Sequence, residues 1–392
     1  MARGDGRPAG PGERRGAGGG GEGRVVRDPG ERNIGDLGEF GLIAAMAARM
    51  RPGPGTVVGI GDDAAVLAAP DGRVVATTDF LLEGRHFRRD WAGPADIGHR
   101  AAVRSLADVA AMGAVATALL VAFAAPPGLP AAWALGVADG LAAECARAGA
   151  SVAGGDVARS DSVLLAVTGL GDLQGRDPVT RSGARPGDVV AVAGPLGRSA
   201  AGLALLQAGL AGPARAVDPA ELAGPAPPVD PAELAGPAPP VDPPQPAELA
   251  GLIAAHLRPA PPYEAGPEAA TLGATAMIDI SDGLVADLGH IAGASGVAID
   301  VRTAALDTAP LEPAARAIRT SAPGGANPAP ASGPTVLGWV LTGGEDHSLV
   351  ATFPPGVMLP GRWSVIGAVR EGRGVLVDGH AYRGAPGWDH FR

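Results

Sequence analysis

Short runs rich in Val and Ile alternate with longer helix-forming segments along most of this 392-residue chain. Regular alternation of this kind favours a layered α/β architecture. The chain is long enough to bury the cores of two such domains. The predicted strands are 56–60, 73–78, 117–123, 163–169, 188–193, 275–280, 297–301, 336–341, 348–353 and 374–378, and the predicted helices are 42–50, 95–112, 131–148, 199–209, 282–295 and 311–319.

Three segments interrupt this alternation. Residues 1–33 mix Gly with Arg, Glu and Asp and contain no apolar run, which predicts a disordered tail. Residues 211–250 contain a 12-residue repeat with four prolines, whose first two copies fill 217–240. A unit of this length and composition cannot form a solenoid repeat with a buried face, so we predict an extended linker. Residues 321–335 predict a shorter loop.

A turn-rich connection near 175–187 divides the predicted elements into two groups of similar size. We therefore predict an N-terminal domain at 34–180 and a C-terminal domain at 181–392. The Pro-rich linker 211–250 is inserted into the second domain.

Composition excludes several chemistries. The 31 basic residues are all arginine, because the chain contains no lysine. This excludes a Walker-A phosphate loop, a Schiff-base lysine and a lysine general base. The single cysteine, Cys145, excludes a disulfide framework and a CxxC site, and its apolar neighbours predict a small buried residue. A net charge of −10 argues against a broad nucleic-acid-binding face.

The uncharged stretch between Asp108 and Asp139 is the feature most easily mistaken for a transmembrane segment. Its strongly apolar part, 118–123, has the length of a strand and falls short of the ~20 residues that a bilayer-spanning helix needs. Residues 1–33 lack the apolar core of a secretory signal. We therefore expect a cytoplasmic protein without a membrane partner.

Aspartates recur where an apolar run meets a Gly-containing turn. Ordinary turns favour Asp and Gly, so each junction alone is best explained as a turn. Five junctions in a chain with only 18% charged residues favour a functional set. Carboxylates that converge at strand ends repel one another unless cations lie between them, and oxygen-only ligands suit Mg²⁺. The junctions are Gly61-Asp62-Asp63, Thr77-Thr78-Asp79, Gly154-Gly155-Asp156, Asp279-Ile280-Ser281-Asp282-Gly283 and Gly343-Gly344-Glu345-Asp346, with Asp108 nearby in a predicted helix.

Two common motifs fail on closer inspection. Segment 59–64 matches GxGxxA, with Asp79 at the spacing of a dinucleotide fingerprint. A Pro-Asp-Gly turn follows within a few residues, which leaves no room for the crossover of at least ~10 residues that a βαβ unit needs. The segment that starts at Asp279 begins like a calcium loop, but Leu284 and His290 replace the required Gly and Glu.

Ten sequence blocks, in one order along 38–391, resemble those of thiamine-monophosphate kinases. These enzymes belong to the superfamily that includes aminoimidazole ribonucleotide synthetase and selenophosphate synthetase. One Gly-Asp-Asp block is weak evidence, whereas the ordered set with Ile-Ser-Asp-Gly-Leu and a closing Gly-Trp-Asp-His-Phe is specific. The blocks are 38–40, 59–67, 77–87, 108–114, 154–156, 180–187, 197–206, 276–295, 343–346 and 387–391.

The resemblance implies ATP-dependent phosphorylation of thiamine monophosphate to thiamine diphosphate. It also implies a two-domain α/β fold like that of aminoimidazole ribonucleotide synthetase, whose N-terminal domain binds ATP and Mg²⁺ and forms a homodimer through its sheet. Transfer would depend on positioning and on metal charge rather than on a catalytic base. By motif, several Mg²⁺ ions would be held by Asp63, Thr77, Thr78, Asp79, Asp108, Asp156, Asp279 and Asp282. Among these ligands Asp63, Asp79 and Asp282 would matter most, and Asp62 would support the set. The residues that would contact ATP are Gly155, Asp156, Arg181 and Ser281, and those that would contact the thiamine substrate are His86, Glu345 and Trp388.

The chain departs from the family pattern at three places. Ser105 and Ala107 stand where the family usually has Asn and Ser, just before Asp108. His347 stands at the Tyr of the Gly-Gly-Glu-Asp-Tyr block, and Ala138 occupies a position that is often aromatic. None of these departures removes a proposed metal ligand.

Two other functions stay open. One is a different ATP-using enzyme of the same superfamily, although selenophosphate synthetase would carry a reactive N-terminal Cys or selenocysteine and a Lys, and aminoimidazole ribonucleotide synthetase would lack the closing block. The other is a non-catalytic nucleotide- or metal-binding regulator with this fold. Loss of a metal ligand would favour the regulator, and none is lost. The missing crossover helix makes a dehydrogenase the weakest hypothesis.

Overall fold

The computed structural model describes residues 33–60, 64–210, 246–321 and 335–388. Several predictions fall outside these ranges. They concern the tail as far as residue 32, the Gly61-Asp62-Asp63 junction, the repeat copies at 217–240 and the last residues of the closing block.

The N-terminal half contains two sheets. Strands β1 and β2 form an antiparallel pair, and a four-stranded sheet has the order β3-β6-β4-β5. Only β4 and β5 of the larger sheet run parallel. In chain order the elements are α1 (Ile34–Ala47), β1 (Thr56–Val58), β2 (Val66–Leu67), β3 (Val75–Leu82), α2 (Pro94–Ala111), β4 (Val115–Ala125), α3 (Ala131–Ala148), β5 (Ser151–Arg159) and β6 (Leu164–Asp172).

Helices α2 and α3 pack together against one face of the four-stranded sheet. Their backbones approach closely because small residues lie at the crossing. A Cβ atom at Gly98 would lie 2.0 Å from the carbonyl oxygen of Val137, and one at Gly140 would lie 2.1 Å from that of Ala95. The opposite face of this sheet carries exposed side chains, among them Phe80 of β3.

The C-terminal half is built on a seven-stranded, mostly antiparallel sheet of order β13-β12-β9-β11-β7-β10-β8. Its elements are β7 (Val189–Ala193), α4 (Arg198–Gln207), α5 (Pro246–Leu257), α6 (Ala265–Thr271), β8 (Ala276–Ile280), α7 (Leu284–Ser295), β9 (Ala298–Val301), α8 (Glu312–Ser321), α9 (Val336–Thr342), β10 (Ser348–Phe353), β11 (Trp363–Arg370), β12 (Gly374–Val377) and β13 (His380–Ala381). Two 3₁₀ turns precede α8.

Side chains alternate between the two faces of this sheet. Ile278 and Val350 belong to a core shared with α4, α5, α7, α8 and α9. Met277 and Leu349 face the other way and share a continuous core with the N-terminal half. Helix α2 therefore lies between the two large sheets, which explains why most of its side chains are buried.

The prediction of a strand at 336–341 is wrong, because this segment forms helix α9. Thr335 caps this helix, since its side chain accepts a hydrogen bond from the N–H of Gly338 at 3.0 Å. A short apolar run fits a buried helix as well as a buried strand, so its periodicity could not separate the two.

Two predicted aspartate junctions also lie elsewhere than expected. Thr77-Thr78-Asp79 lies inside β3, which continues to Leu82, and Gly154-Gly155-Asp156 lies inside β5. Strand β11 was not predicted. Helix α5 begins at Pro246, within the interval 211–250 that predicts a linker, because Leu249, Leu252 and Ile253 pack into the C-terminal core.

The α/β fold class is confirmed. In the described residues between Thr56 and Leu82 there is no helix, which agrees with the rejected dinucleotide fingerprint. Cys145 is buried, and burial raises the pKa of its thiol to about 12, which leaves it unreactive near neutral pH. Among the residues that the structure describes, no helix has the length and apolar character needed to cross a membrane.

Candidate functional site

Strand β3 and helix α2 bring the first group of acidic residues together. Thr77 and Asp79 are two residues apart, so both point from β3 towards α2. The hydroxyl of Thr77 donates to Oδ2 of Asp108 at 2.6 Å, and the hydroxyl of Ser105 lies 3.3 Å from Oδ2 of Asp79. The i, i+3 spacing of Ser105 and Asp108 on α2 makes this pairing possible.

Strand β8 adds Asp279 from the C-terminal half. Asp279 pairs with Leu349 across the sheet and shares its face, which is turned towards α2. Burial, followed by the charges of Asp279 and Asp79, raises the pKa of Asp108 to about 7. The three carboxylates, which we call the acidic cluster, therefore interact across the junction of the two halves.

The turn after β8 is fixed by Asp287, which the sequence analysis missed. Its Oδ2 accepts hydrogen bonds from the N–H groups of Asp282 and Gly283, both at 3.1 Å. Burial and then the charges of Asp279 and Asp282 raise the pKa of Asp287 to about 8. Asp287 lies in the first turn of α7, where an acidic residue is favourable, and this position was the signal available in the sequence.

Glu345 lies between two arginines of α2. Arg100 donates to its Oε2 at 2.9 Å, and Arg104 donates to its Oε1 at 2.5 Å. Burial opposes ionisation of Glu345, but the guanidinium groups of Arg104 and Arg100 hold its pKa well below the usual value. Both carboxylate oxygens are therefore engaged within the protein at the position predicted to contact the substrate.

His347 is buried beside the acidic cluster. Its Nδ1 lies 3.1 Å from Oδ2 of Asp279, and its Nε2 lies 3.8 Å from Oε2 of Glu345. Burial disfavours a charged ring, but the hydrogen bond with Asp279 and the nearby Glu345 raise the pKa of His347 to about 9. The ring is therefore a cation at neutral pH, placed between two anions.

Two predicted ligands lie on the other face of the four-stranded sheet. The hydroxyl of Thr78 donates to the carbonyl oxygen of Val167 and accepts from Thr168, both at 3.2 Å. Asp156 pairs with Ala122 on neighbouring β4 and is exposed. Neither side chain points towards α2, so the structure separates these two from Thr77, Asp79 and Asp108.

The described residues contain no group of three or more His, Cys, Asp or Glu side chains arranged to hold a metal ion. The chemistry of the acidic cluster nevertheless fits Mg²⁺. Its donors are all carboxylate oxygens, and their mutual repulsion is relieved by a divalent cation. Asp62 and Asp63 lie outside the described residues, so their contribution stays a prediction.

Of the predicted thiamine-binding residues, Trp388 lines a cavity of about 740 Å³ beside α7, whereas His86 and Glu345 are not among the residues that line it. The guanidinium of Arg85 stacks over the ring of Trp388 at 5.1 Å, and the backbone N–H of Trp388 donates to the carbonyl oxygen of Asp282. His86 follows Arg85, and its Nδ1 accepts from the N–H of Leu82 at 3.0 Å. The cavity is lined by Asp282, Val285, Ala286, Gly289, His290, Ala385, Pro386, Gly387 and Trp388.

The predicted ATP contacts come from three places. Gly155 lies in β5, Arg181 is exposed on the connection between β6 and β7, and Ser281 follows β8. The carbonyl oxygen of Arg181 accepts from Ser295, and that of Ser281 accepts from the N–H of Glu345. Ser281 follows Asp279 of the acidic cluster by two residues.

Comparison with known proteins decides the family. Residues 61–173 match the family model described as AIR synthase related protein, N-terminal domain. The thiamine-monophosphate kinase of Mycobacterium tuberculosis (strain CDC 1551 / Oshkosh) is 43% identical over 358 residues, which cover 91% of this chain and 92% of that protein. The chain belongs to the thiamine-monophosphate kinase family. The Corynebacterium glutamicum member is 36% identical over 364 residues, with 91% and 95% coverage.

Solved structures agree. The thiamine-monophosphate kinase of Stenotrophomonas maltophilia K279a matches with a TM-score of 0.67 at 30% identity, covering 87% of this chain and 96% of that one. A structure of AaThiL complexed with AMPPCP and TMP matches with a TM-score of 0.65 at 30% identity, with coverage of 91% and 98%. The hydrogenase maturation protein HypE, at 17% identity and a TM-score of 0.52, shares the fold alone.

The family blocks explain which site residues the sequence could indicate. Asp79, Asp108 and Asp279 stand in such blocks, and the charges of Asp79 and Asp279 both act on Asp108 in the structure. Arg100 and Arg104 stand outside the blocks, in a helix of ordinary amphipathic pattern. Their i, i+4 spacing places both on one helix face, but nothing local to the sequence shows that Glu345 meets that face.

Proposed function

We propose that this chain carries out the reaction of its family, the ATP-dependent phosphorylation of thiamine monophosphate to thiamine diphosphate, with Mg²⁺ at the acidic cluster. The observation that carries the proposal is the 43% identity, over 91% of the chain, to a thiamine-monophosphate kinase. The charges of Asp79 and Asp279, which both act on Asp108 from the two halves of the chain, support it. ATP is the co-substrate, in line with the AMPPCP and TMP of the AaThiL complex.

The acceptor determines what the site has to supply. A phosphate monoester has a second pKa near ~6, so thiamine monophosphate is mostly a dianion at neutral pH. Such an acceptor needs no strong general base. The obstacle is repulsion between the dianion and the triphosphate of ATP, and Mg²⁺ supplies charge neutralisation and alignment for in-line transfer.

The chain's own residues then have distinct tasks. Asp79, Asp108 and Asp279 supply oxygen ligands, with Asp63 and Asp282 in the same set. Thr77 and Ser105 hold two of these carboxylates by hydrogen bonds. Arg181, whose guanidinium is a planar donor, would contact a phosphate of ATP, with Gly155 and Ser281. Thr78 and Asp156, the other two predicted ligands, would hold Mg²⁺ from the exposed face of the sheet.

The cavity beside α7 suits the organic part of the acceptor. Its volume of about 740 Å³ falls within the usual range for small-molecule sites. Trp388 offers a flat ring against which a heteroaromatic ring could stack. Asp282 lines this cavity and also belongs to the turn between β8 and α7, where it would be a Mg²⁺ ligand. His86 lies on the loop that reaches Trp388 through Arg85.

The proposal includes a homodimer formed through the N-terminal sheet. Phe80 is 57% exposed, and the β1–β2 pair, which contacts β5 at the other edge of this sheet, exposes Val57 and Val66. A sheet face with exposed large apolar side chains favours association with a second copy. A cytoplasmic location, expected from the sequence, belongs to the same proposal.

The reaction is tested by ³¹P NMR of the purified chain with ATP, Mg²⁺ and thiamine monophosphate. We expect the paired doublets of thiamine diphosphate, matched by ADP and absent without Mg²⁺. ADP with inorganic phosphate and no thiamine diphosphate would indicate a different acceptor. Unchanged ATP and acceptor would contradict an enzymatic function and favour a nucleotide-binding regulator.

The acidic cluster is tested by Asp79→Asn, which removes one negative charge but keeps the shape of the side chain. We expect kcat to fall by at least about a hundredfold, because a metal ligand of a phosphoryl-transfer site is lost. Asp172→Asn is the matched control, since Asp172 lies at the far end of β6 and accepts only from the N–H of Gln174 within the described contacts. Equal kcat values in the two variants would contradict the site.

The dimer is tested by sedimentation velocity. We expect Phe80→Asp to convert the dimer to monomer, because it places a charge on the exposed apolar face. Met358→Asp is the control, since Met358 is 88% exposed but lies between β10 and β11 of the other half. A monomeric wild-type chain, or a dimer in the Phe80→Asp variant, would contradict this interface.

A further inference from the structure

The loop before β10, residues 343–347, contacts two parts of the site. Its Glu345 binds Arg100 of helix α2, and its His347 lies beside Asp279 of the acidic cluster. His347 is only 2% exposed, and its two nitrogens face different carboxylates. Nδ1 lies 3.1 Å from Oδ2 of Asp279, whereas Nε2 lies 3.8 Å from Oε2 of Glu345 and forms no hydrogen bond within the described residues. The ring therefore makes one directed bond, and that bond is to Asp279.

The backbone of this loop is held in a demanding conformation. Glu345 has a φ of +65° and His347 a φ of +52°, which non-glycine residues rarely adopt. Such a conformation is destabilising unless the surroundings of the residue fix it. Here the N–H of Glu345 donates to the carbonyl oxygen of Ser281, and the N–H of His347 donates to that of Ile280. The loop is thus tied to the end of β8 on both sides of Asp346.

The side chain of Glu345 fixes the same loop from the other half of the protein. Arg100 and Arg104 of α2 donate to its two oxygens. The Nε atom of Arg104 also lies 3.8 Å from Oδ1 of Asp79. One chain of contacts therefore runs from Asp79 through Arg104 and Glu345 to the loop that carries His347.

We propose that His347 is a positioning residue for the metal site: its Nδ1–H orients the carboxylate of Asp279 towards the acidic cluster, from a loop that Arg100 and Arg104 hold through Glu345. The inference rests on the proposed function, in which Asp279 is a Mg²⁺ ligand. Hydrogen-bond partners of metal-ligating carboxylates set their orientation, and loss of such a partner typically lowers metal affinity about 10–100-fold. The tyrosine found at this position in the family pattern has no donor at the place of Nδ1.

Three substitutions at His347 separate the position of the donor from its mere presence. In His347→Asn the side-chain amide takes the place of Nδ1, and asparagine tolerates a positive φ. In His347→Gln the amide reaches the place of Nε2 instead, towards Glu345. His347→Phe keeps a ring but has no donor. The buried His256, which contacts Ser199, supplies the matched control His256→Gln.

Binding of Mn²⁺ to the purified chain without substrates, followed by the EPR signal of free Mn²⁺, is the direct readout. We expect His347→Gln and His347→Phe to weaken Mn²⁺ binding by about tenfold or more, whereas His347→Asn stays within about threefold of wild type. His256→Gln should bind Mn²⁺ as wild type does. In turnover, the Mg²⁺ concentration for half-maximal rate should rise in the Gln and Phe variants, with KM for thiamine monophosphate little changed.

Equal Mn²⁺ affinities for the Asn and Gln variants would overturn the inference, because both carry an amide and differ in its position. This comparison holds even if His347→Phe does not fold. Failure of the proposed function looks different, since the wild-type chain itself would then bind no Mn²⁺ or form no thiamine diphosphate. A wild-type chain that does both, with unaffected variants, would overturn only the assignment of His347.

Discussion

Among single residues, burial decides how a side chain away from the acidic cluster responds to pH. His256 is 6% exposed, and its Nδ1 lies 3.0 Å from the hydroxyl of Ser199. Burial, followed by the charge of Arg100, lowers the pKa of His256 to about 3. The folded protein therefore keeps this ring neutral where an unfolded chain, with the usual value of 6.5, already binds a proton.

This difference in the pKa of His256 between the folded and unfolded states predicts that His256 lowers the stability of the protein in acid. Because the folded-state pKa is lowered, the unfolded state binds more protons below pH 6.5, so stability is lost as the pH falls from there towards 3. Between pH 7 and pH 5 the loss from His256 amounts to about 2 kcal/mol. We expect His256→Gln to lose that much less free energy of unfolding than wild type over this interval, measured by urea denaturation.

Comparing the stability curves of wild type and His256→Gln against pH removes the contributions of the other titrating groups. Asp346 caps α4 by accepting from the N–H groups of Gly197 and Ser199, and burial raises its pKa to about 7. Its titration opposes that of His256, but it is common to both proteins and cancels in the difference. Parallel stability curves for wild type and His256→Gln would show that His256 is not protected from protonation in the folded state.

At the scale of elements, the turn between β8 and α7 depends on one backbone conformation. Gly283 has a φ of +124°, and a Cβ atom there would lie 2.7 Å from the carbonyl oxygen of Thr342. The turn carries Ser281 and Asp282 and is capped by Asp287. Only glycine fits this position without moving α9, so the geometry of the site and the packing of a helix share one constraint.

Two alanine substitutions, one just before α7 and one within it, should change the free energy of unfolding in opposite directions. We expect Gly283→Ala to lower the free energy of unfolding by about 1–3 kcal/mol, because of the positive φ and the contact with α9. Gly293→Ala, in the same helix at an exposed position with open space around it, should raise it by up to about 1 kcal/mol. Urea denaturation of both variants gives the two values, and equal effects would contradict the constraint at Gly283.

The elements also show what periodicity can and cannot predict. Helices α2 and α3 were predicted at 95–112 and 131–148 and are found at Pro94–Ala111 and Ala131–Ala148, because long segments present a clear periodic pattern. The strand β5 was missed, because its Gly-Gly-Asp sequence has the composition of a turn. The contact between Glu345 and α2 could not be predicted, since it depends on how the two halves pack.

At the scale of the whole molecule, the two halves share one hydrophobic core. Leu106 of α2, Met277 of β8 and Phe353 of β10 belong to a single buried cluster. Separating the halves would expose this cluster and break the ion pairs of Glu345. We therefore expect the described parts of the chain to unfold in one cooperative transition, which supplies a readout for changes made elsewhere.

The repeat at 217–240 joins two helices that already lie side by side. Ser199, near the start of α4, bonds His256, near the end of α5, so the helices run antiparallel. The end of α4 at Gln207 therefore lies close to the start of α5 at Pro246. A connection much shorter than residues 208–245 can span this distance, because helix hairpins commonly have loops of only ~2–8 residues.

Deletion of 217–240 should therefore leave the fold and the reaction intact. We expect kcat and KM to stay within a few-fold of wild type, and a single unfolding transition at equal or higher stability, with a gain of at most about 1 kcal/mol from the smaller loop-closure entropy. Activity assays and urea denaturation of the deletion variant, beside wild type, make the test. Loss of soluble protein would show that the repeat supports the packing of α4 on α5. Loss of activity in a folded variant would place the repeat in contact with the site.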